Sequence, residues 1–215
     1  MNALTYYTNP QSRGRIAHWM MEELGEPYDT VWLDYGTSMK APEYLAINPM
    51  GKVPALRDRG GDGDVVVTES AAICAYLADR FPDKGLAPPP GSPQRAAYYR
   101  WMFFVAGPLE MATTAKALDW QVPEGRSAMV GFGSYAQTMD ALETALRPGP
   151  YVCGERFSAA DVVLESALGW GLMFGTVEKR PAFADYVARL QQRAAAQRAN
   201  ALNEARLKGS QGRGA

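Results

Sequence analysis

Apolar residues in the first third of the chain switch between two spacings, and the switches mark the elements. Leu4–Tyr7 is a short aliphatic and aromatic run that reads as a strand. Pro10-Gln11-Ser12 opens a helix in which Ile16, Met20 and Leu24 recur at helical spacing, and Gly25 is its stop signal. Tyr28–Leu33 reads as a second strand and Pro42–Leu45 as a short helix. Ala55-Leu56-Arg57 and Val65-Val66-Val67 flank Asp58-Arg59-Gly60-Gly61-Asp62-Gly63-Asp64, a hairpin loop by composition. Ser70–Phe81 is helical, and Phe81-Pro82 ends it. The predicted order is β-α-β-α-β-β-α, a mixed sheet with helices packed on it.

Beyond this point the strand signals stop. Five prolines among residues 82–93 read as a stiff linker. Helices are predicted over 94–106, continuing past Gly107-Pro108 over 109–119, and then over 132–146. Ser158 is a helix N-cap with Asp161 at the third helical position and Phe157 just before the cap. A last helix is expected over 181–202. The division is therefore an α/β domain over 1–81, a linker over 82–93, an all-helical domain over 94–208 and a flexible tail over 209–215.

Composition narrows the chemistry by exclusion. The chain is 47% hydrophobic and 21% charged with a net charge of −1, so no bulk electrostatic case exists for nucleic acid or an anionic membrane. No run reaches the roughly 18 apolar residues of a membrane span. The N-terminus has no basic, signal-like start, and Cys74 and Cys153 form neither a CxxC pair nor a metal motif. A reduced, cytoplasmic setting without a metal is the expectation. The one histidine, His18, rules out a multi-histidine metal site; it is expected at a surface or interface.

Two stretches carry specific chemistry. The first is Asn48-Pro49-Met50-Gly51-Lys52-Val53-Pro54-Ala55-Leu56. Pro54 stands just before a strand, where a residue without an N–H belongs at an edge or bend. A cis bond there would aim the backbone of Val53 sideways, free to pair with an extended ligand. The second is Thr68-Glu69-Ser70, which ends a strand and opens a helix. The free N–H groups and positive dipole of a helix start suit a carboxylate. Together they read as a site for a small acidic peptide.

These stretches, with Ala72-Ile73-x-x-Tyr76-Leu77 and Phe157-Ser158-x-Ala160-Asp161, are similar in order and spacing to the cytosolic glutathione transferase superfamily. The resemblance covers nearly all of the chain. Ser12-Arg13-Gly14-Arg15-Ile16-x-x-Trp19-Met20-x-Glu22-Glu23-Leu24-Gly25 resembles its serine-type bacterial and fungal branch. The resemblance implies a thioredoxin-like glutathione-binding domain and a helical domain that contributes the pocket for the second substrate. It implies that Val53, beside Pro54, pairs with the cysteinyl backbone of glutathione. Glu69 and Ser70 would take the γ-glutamyl end, and Lys40 and Lys52 the glycyl carboxylate. Ser12 is the first choice for the hydroxyl that stabilises the thiolate, with Tyr6 as runner-up; Tyr7, Thr8 and Asn9 share that neighbourhood. Asn9, Leu109 and Met111 are candidates to line the electrophile pocket. The implied activity is transfer of glutathione to an electrophilic, partly apolar small molecule by a cytoplasmic homodimer. The rivals are other glutathione-dependent chemistry (peroxidase, dehalogenase, ether lyase, isomerase) and a non-catalytic binding module; the complete Lys52, Val53, Glu69 and Ser70 set argues against the module.

Overall fold

The computed structural model describes residues 2–61 and 63–211. By its internal contacts the chain forms two compact units, Met1–Lys84 with Gln192–Ala215, and Gly85–Gln191.

The first unit is built on β1 (Leu4–Thr8), α1 (Gly14–Leu24), β2 (Tyr28–Trp32), α2 (Pro42–Leu45), β3 (Ala55–Asp58), β4 (Val65–Thr68) and α3 (Ser70–Arg80). The sheet order is β2-β1-β3-β4. β1 runs parallel to β2, with Tyr6 beside Thr30, and antiparallel to β3, with Tyr6 beside Leu56. β3 and β4 are antiparallel, so Ala55 faces Thr68 and Asp58 faces Val65. The predicted order of elements holds throughout. Ile16, Met20, Met21 and Leu24 of α1 are buried, as are Ile73, Cys74 and Leu77 of α3. Each large side chain so buried contributes roughly 1.5–3 kcal/mol. Gly25 closes α1 with φ 66°, the left-handed stop its position predicts. Buried Asp58 accepts from Gly60 N–H, Tyr76 O–H and Arg80 Nε, which ties the β3–β4 hairpin to α3. Asp62, within the predicted hairpin loop, lies outside the described residues.

The second unit contains α4 (Pro93–Phe104), α5 (Glu110–Ala117), α6 (Tyr135–Leu146), α7 (Ala159–Phe174) and α8 (Pro181–Leu190). Between α4 and α5 the helix widens into a π turn over Val105–Leu109, which accommodates Pro108 without ending the helix. α7 begins with the expected capping box: Asp161 accepts from the Ser158 N–H, while its other oxygen holds Val152 N–H and Tyr186 O–H.

The end of the chain differs from the single helix predicted over 181–202. It is two helices, α8 and α9 (Ala194–Gln211), with a turn between them. α8 packs on α7, whereas α9 packs on α1. At the break the Arg193 guanidinium donates to both oxygens of Glu23, at 2.6 and 2.8 Å. Arg198 pairs with Glu22 and Arg15 with Glu204 along the same α1–α9 seam. Residues 209–211 of the expected tail are helical; 212–215 lie outside the described residues. His18 is also not where expected. It is 1% exposed, between Tyr28 Oη at 2.9 Å and Asn203 Nδ2 at 3.0 Å, and burial lowers its pKa.

Candidate functional site

A tied turn leads into β3. Asn48 Oδ1 accepts from Met50 N–H, and the Lys52 carbonyl accepts from Asn48 Nδ2 and Tyr44 O–H, at 2.8 and 2.5 Å. Lys40 Nζ donates to the carbonyls of Met50 and Gly51, at 3.1 and 3.0 Å. Gly51 sits at φ 57°, and a Cβ there would lie 2.7 Å from the Met39 carbonyl oxygen, so glycine is required on two counts. The turn delivers a cis Val53–Pro54 bond. Pro54 is buried, and Val53 packs against the cluster of Leu33, Met39, Tyr44 and Ala55. Val53 precedes the first ladder pair, and no hydrogen bond joins its N–H or C=O to the other described residues.

Because β3 and β4 are antiparallel, residues just before Ala55 lie at the same end of the hairpin as residues just after Thr68. Val53–Pro54 and Glu69–Ser70 are thereby brought together. Glu69 holds φ 68° and ψ 124°, a conformation that strains any residue with a Cβ. It stands at the N-cap position of α3, yet its side chain makes no capping bond and is exposed. Ser70 Oγ donates to the Arg13 carbonyl at 3.4 Å, which joins the start of α3 to the loop before α1.

That loop holds Ser12. Its hydroxyl donates to the Asn9 carbonyl at 2.7 Å and accepts from Gly14 N–H at 2.9 Å. α1 starts at Gly14, after the Pro10-Gln11-Ser12 stretch predicted to open it. Asn9 is committed to the same loop, with Nδ2 on the Leu33 carbonyl and Oδ1 on Gln11 N–H. Tyr6 is fully buried, and its hydroxyl donates inward to the Gly14 carbonyl. Burial pushes its pKa far above the usual tyrosine range, so it remains a protonated donor. Tyr7 packs at a tilt against Tyr44, with ring centroids 5.7 Å apart.

The remaining expected residues are spread more widely. Lys52 is exposed beside Val53. In the second unit Leu109 is 1% exposed and belongs to that unit's core, whereas Met111 is 46% exposed. Two features carried no clear sequence signal. Thr8, fully buried, lies against Gly14, and a Cβ on Gly14 would come within 2.0 Å of Thr8 Oγ1. The positive φ falls on Glu69, a residue type that rarely adopts it. The Asx turn at Asn48, by contrast, is written in Asn-Pro-x-Gly.

A four-stranded mixed sheet with a cis-proline just before an inner strand, followed by an all-helical unit, is the thioredoxin-like plus helical architecture of glutathione transferases. Residues 13–80 match the family model "Glutathione S-transferase, N-terminal domain", and residues 130–189 match "Glutathione S-transferase, C-terminal domain". The glutathione S-transferase GstA of Escherichia coli O157:H7 is 29% identical over 76% of this chain and 80% of its own. The crystal structure of a glutathione transferase from Methylococcus capsulatus superimposes with a TM-score of 0.76 at 30% identity, covering 94% of this chain and 98% of that one. A glutathione transferase from Phanerochaete chrysosporium, solved in complex with oxidised glutathione, gives a TM-score of 0.78 at 25% identity over 94% and 97% of the two chains. The chain belongs to the cytosolic glutathione S-transferase superfamily.

Proposed function

We propose that this protein is a glutathione transferase whose cosubstrate binds at the Val53–Pro54 and Glu69–Ser70 end of the β3–β4 hairpin. The observation that carries the reading is Glu69. A strained glutamate at a helix start, with no capping bond to explain it, is a carboxylate kept for something outside the chain. The γ-glutamyl amine is its natural partner, and the adjoining N–H groups of α3 suit the γ-glutamyl carboxylate. The unpaired N–H and C=O of Val53 offer the added-strand pairing that a peptide backbone needs. Lys52, and the third donor of Lys40, suit the glycyl carboxylate. The related transferase from P. chrysosporium that was solved with oxidised glutathione supports the same ligand class.

Ser12 is the thiolate donor in this reading. Its oxygen stays on Gly14 N–H while its proton rotates from the Asn9 carbonyl to the sulfur. Losing the neutral bond costs about 1 kcal/mol, and a bond to a charged acceptor returns roughly 1.5–3 kcal/mol. The thiol proton leaves to solvent, and the thiolate sulfur bonds to an electrophilic carbon of a partly apolar small molecule as that carbon's bond to its leaving group breaks, the electron pair departing with the leaving group (or, in an addition, as the π bond breaks and its far atom takes a proton from solvent). Lowering the thiol pKa and holding the two reactants together are the work of the site. Asn9, Leu109 and Met111 are the residues we assign to the electrophile; Asn9 and Leu109 are buried and Met111 is exposed. The reading includes a second copy of the chain as partner in a cytoplasmic homodimer, which sedimentation in solution tests. Retention on immobilised glutathione and a thermal shift with millimolar glutathione test the core of the proposal; absence of both sinks it. A panel of aryl halide, peroxide, epoxide and isothiocyanate substrates then ranks the chemistries.

A further inference from the structure

We infer that Tyr6 is a positioning residue for Ser12, acting through Gly14; this rests on the role of Ser12 proposed above. Gly14 is held at both of its backbone polar groups. Its C=O accepts from the Tyr6 hydroxyl, and its N–H donates to Ser12 Oγ. A glycine at the first position of a helix has more backbone freedom than any other residue, so its φ and ψ depend on such restraints. Glycine is nevertheless required. A Cβ would meet Thr8 Oγ1 at 2.0 Å, Ser12 Oγ at 2.9 Å and Tyr6 Oη at 3.1 Å. Three hydroxyls thus converge on one Cα, and only one of them, that of Ser12, sits in the loop that Ser70 joins to α3.

The consequence is directional. The Tyr6 ring is locked in the core, 0% exposed and packed at a tilt against the His18 ring with centroids 5.7 Å apart. Its hydroxyl cannot reach a surface ligand, which removes it as the direct donor. It can only fix Gly14, and Gly14 N–H fixes where the Ser12 oxygen stands as its proton swings toward sulfur. An N–H on that oxygen also polarises the hydroxyl and strengthens it as a donor. Tyr6 therefore sets the position and strength of a donor it never touches.

The test is a double-mutant cycle read on the bound thiol. The pKa of enzyme-bound glutathione is measured by thiolate ultraviolet absorbance for the wild type, Tyr6→Phe, Ser12→Ala and the double variant, with thermal midpoints alongside. Ser12→Ala raises the pKa. Tyr6→Phe raises it by about half a unit, roughly a threefold loss of thiolate at fixed pH. In the Ser12→Ala background Tyr6→Phe adds nothing further. A Tyr6→Phe shift that persists undiminished in that background, or no shift at all while Ser12→Ala still gives one, overturns the inference and leaves the transferase reading standing. A wild type that binds no glutathione removes the reading instead. Gly14→Ala combined with Thr8→Ala gives a second handle if Tyr6→Phe does not fold. It disturbs the same residue while keeping the tyrosine, and must raise the pKa only when Ser12 is present; a rise without Ser12 refutes the inference.

Discussion

Replacing Glu69 with glycine should make the protein more stable and a poorer binder of glutathione. Glu69 holds φ 68° and ψ 124°, where a Cβ is strained by about 1–3 kcal/mol and glycine is not. Glycine gives back roughly 0.5–1 kcal/mol through the freedom of the unfolded chain. The net gain is about 0.5–2 kcal/mol, a rise of roughly 1–8 °C in Tm for a chain of this size. No capping bond is lost, because the side chain makes none. The same change deletes the carboxylate proposed to hold the γ-glutamyl amine. A hydrogen bond to a charged group is worth roughly 1.5–3 kcal/mol, so Kd for glutathione should rise about 10- to 150-fold. Calorimetry reads both quantities, Tm without ligand and Kd with it. Glu69→Ala is the control: it loses the carboxylate but keeps the strain, so its affinity falls without any gain in Tm. A Glu69→Gly protein that is no more stable than Glu69→Ala would refute the strain argument. Unchanged affinity in both would refute the role of the carboxylate.

Ser12→Ala should raise the pKa of bound glutathione by about 0.4–1.5 units, the balance between a charged bond lost and a neutral one no longer broken; an unchanged thiolate titration with binding intact excludes Ser12 as donor. Gly14→Ala should destabilise the first unit by about 1–3 kcal/mol through its contact with Thr8 Oγ1, and Thr8→Ala should relieve most of that cost in denaturant melts. Purely additive effects would mean the clash is absorbed elsewhere. Glu165, buried in α7, has its pKa raised by burial from 4.5 to about 7. Its folded form favours the proton, so its stabilising contribution is complete below about pH 4.5 and is lost as pH rises through about 7. Glu165→Gln should therefore gain stability over the wild type, by up to roughly 3 kcal/mol, on going from pH 5 to pH 8. Parallel stability curves for the two proteins would show that the carboxyl is already compensated.

Much of the first unit could be read from local chemistry. The helical runs of α1 and α3 bury one face, and a buried face leaves its period in the sequence, while β1 is buried on both faces and shows as a short continuous aliphatic and aromatic run. Gly25, Asn48 and Ser158 punctuate the chain with side chains or backbone freedom that act within a few residues, so their positions are legible too. The break between α8 and α9 was not legible. Residues 191–193 contain no glycine or proline, and the chain turns there because α9 packs on α1 and Glu23 binds Arg193, partners distant in sequence. The burial of His18 has the same origin, since Tyr28 and Asn203 close over it from elsewhere in the chain. Within the candidate site the backbone donors were foreseeable. The inward turn of Tyr6 was not, because a tyrosine in a strand gives no sign of which carbonyl its hydroxyl will find.

The packing of α9 on α1 has a bearing on how the protein is made. A ribosome releases Met1–Lys84 long before it releases Gln192–Ala215, and the whole of Gly85–Gln191 is translated in between. During that interval the face of α1 that carries His18, Glu22 and Glu23 has no helix to cover it. The unit that carries the proposed cosubstrate site thus reaches its final form only when the last helix emerges. Synthesis order makes the helical unit the earlier of the two to be finished, although its sequence comes second.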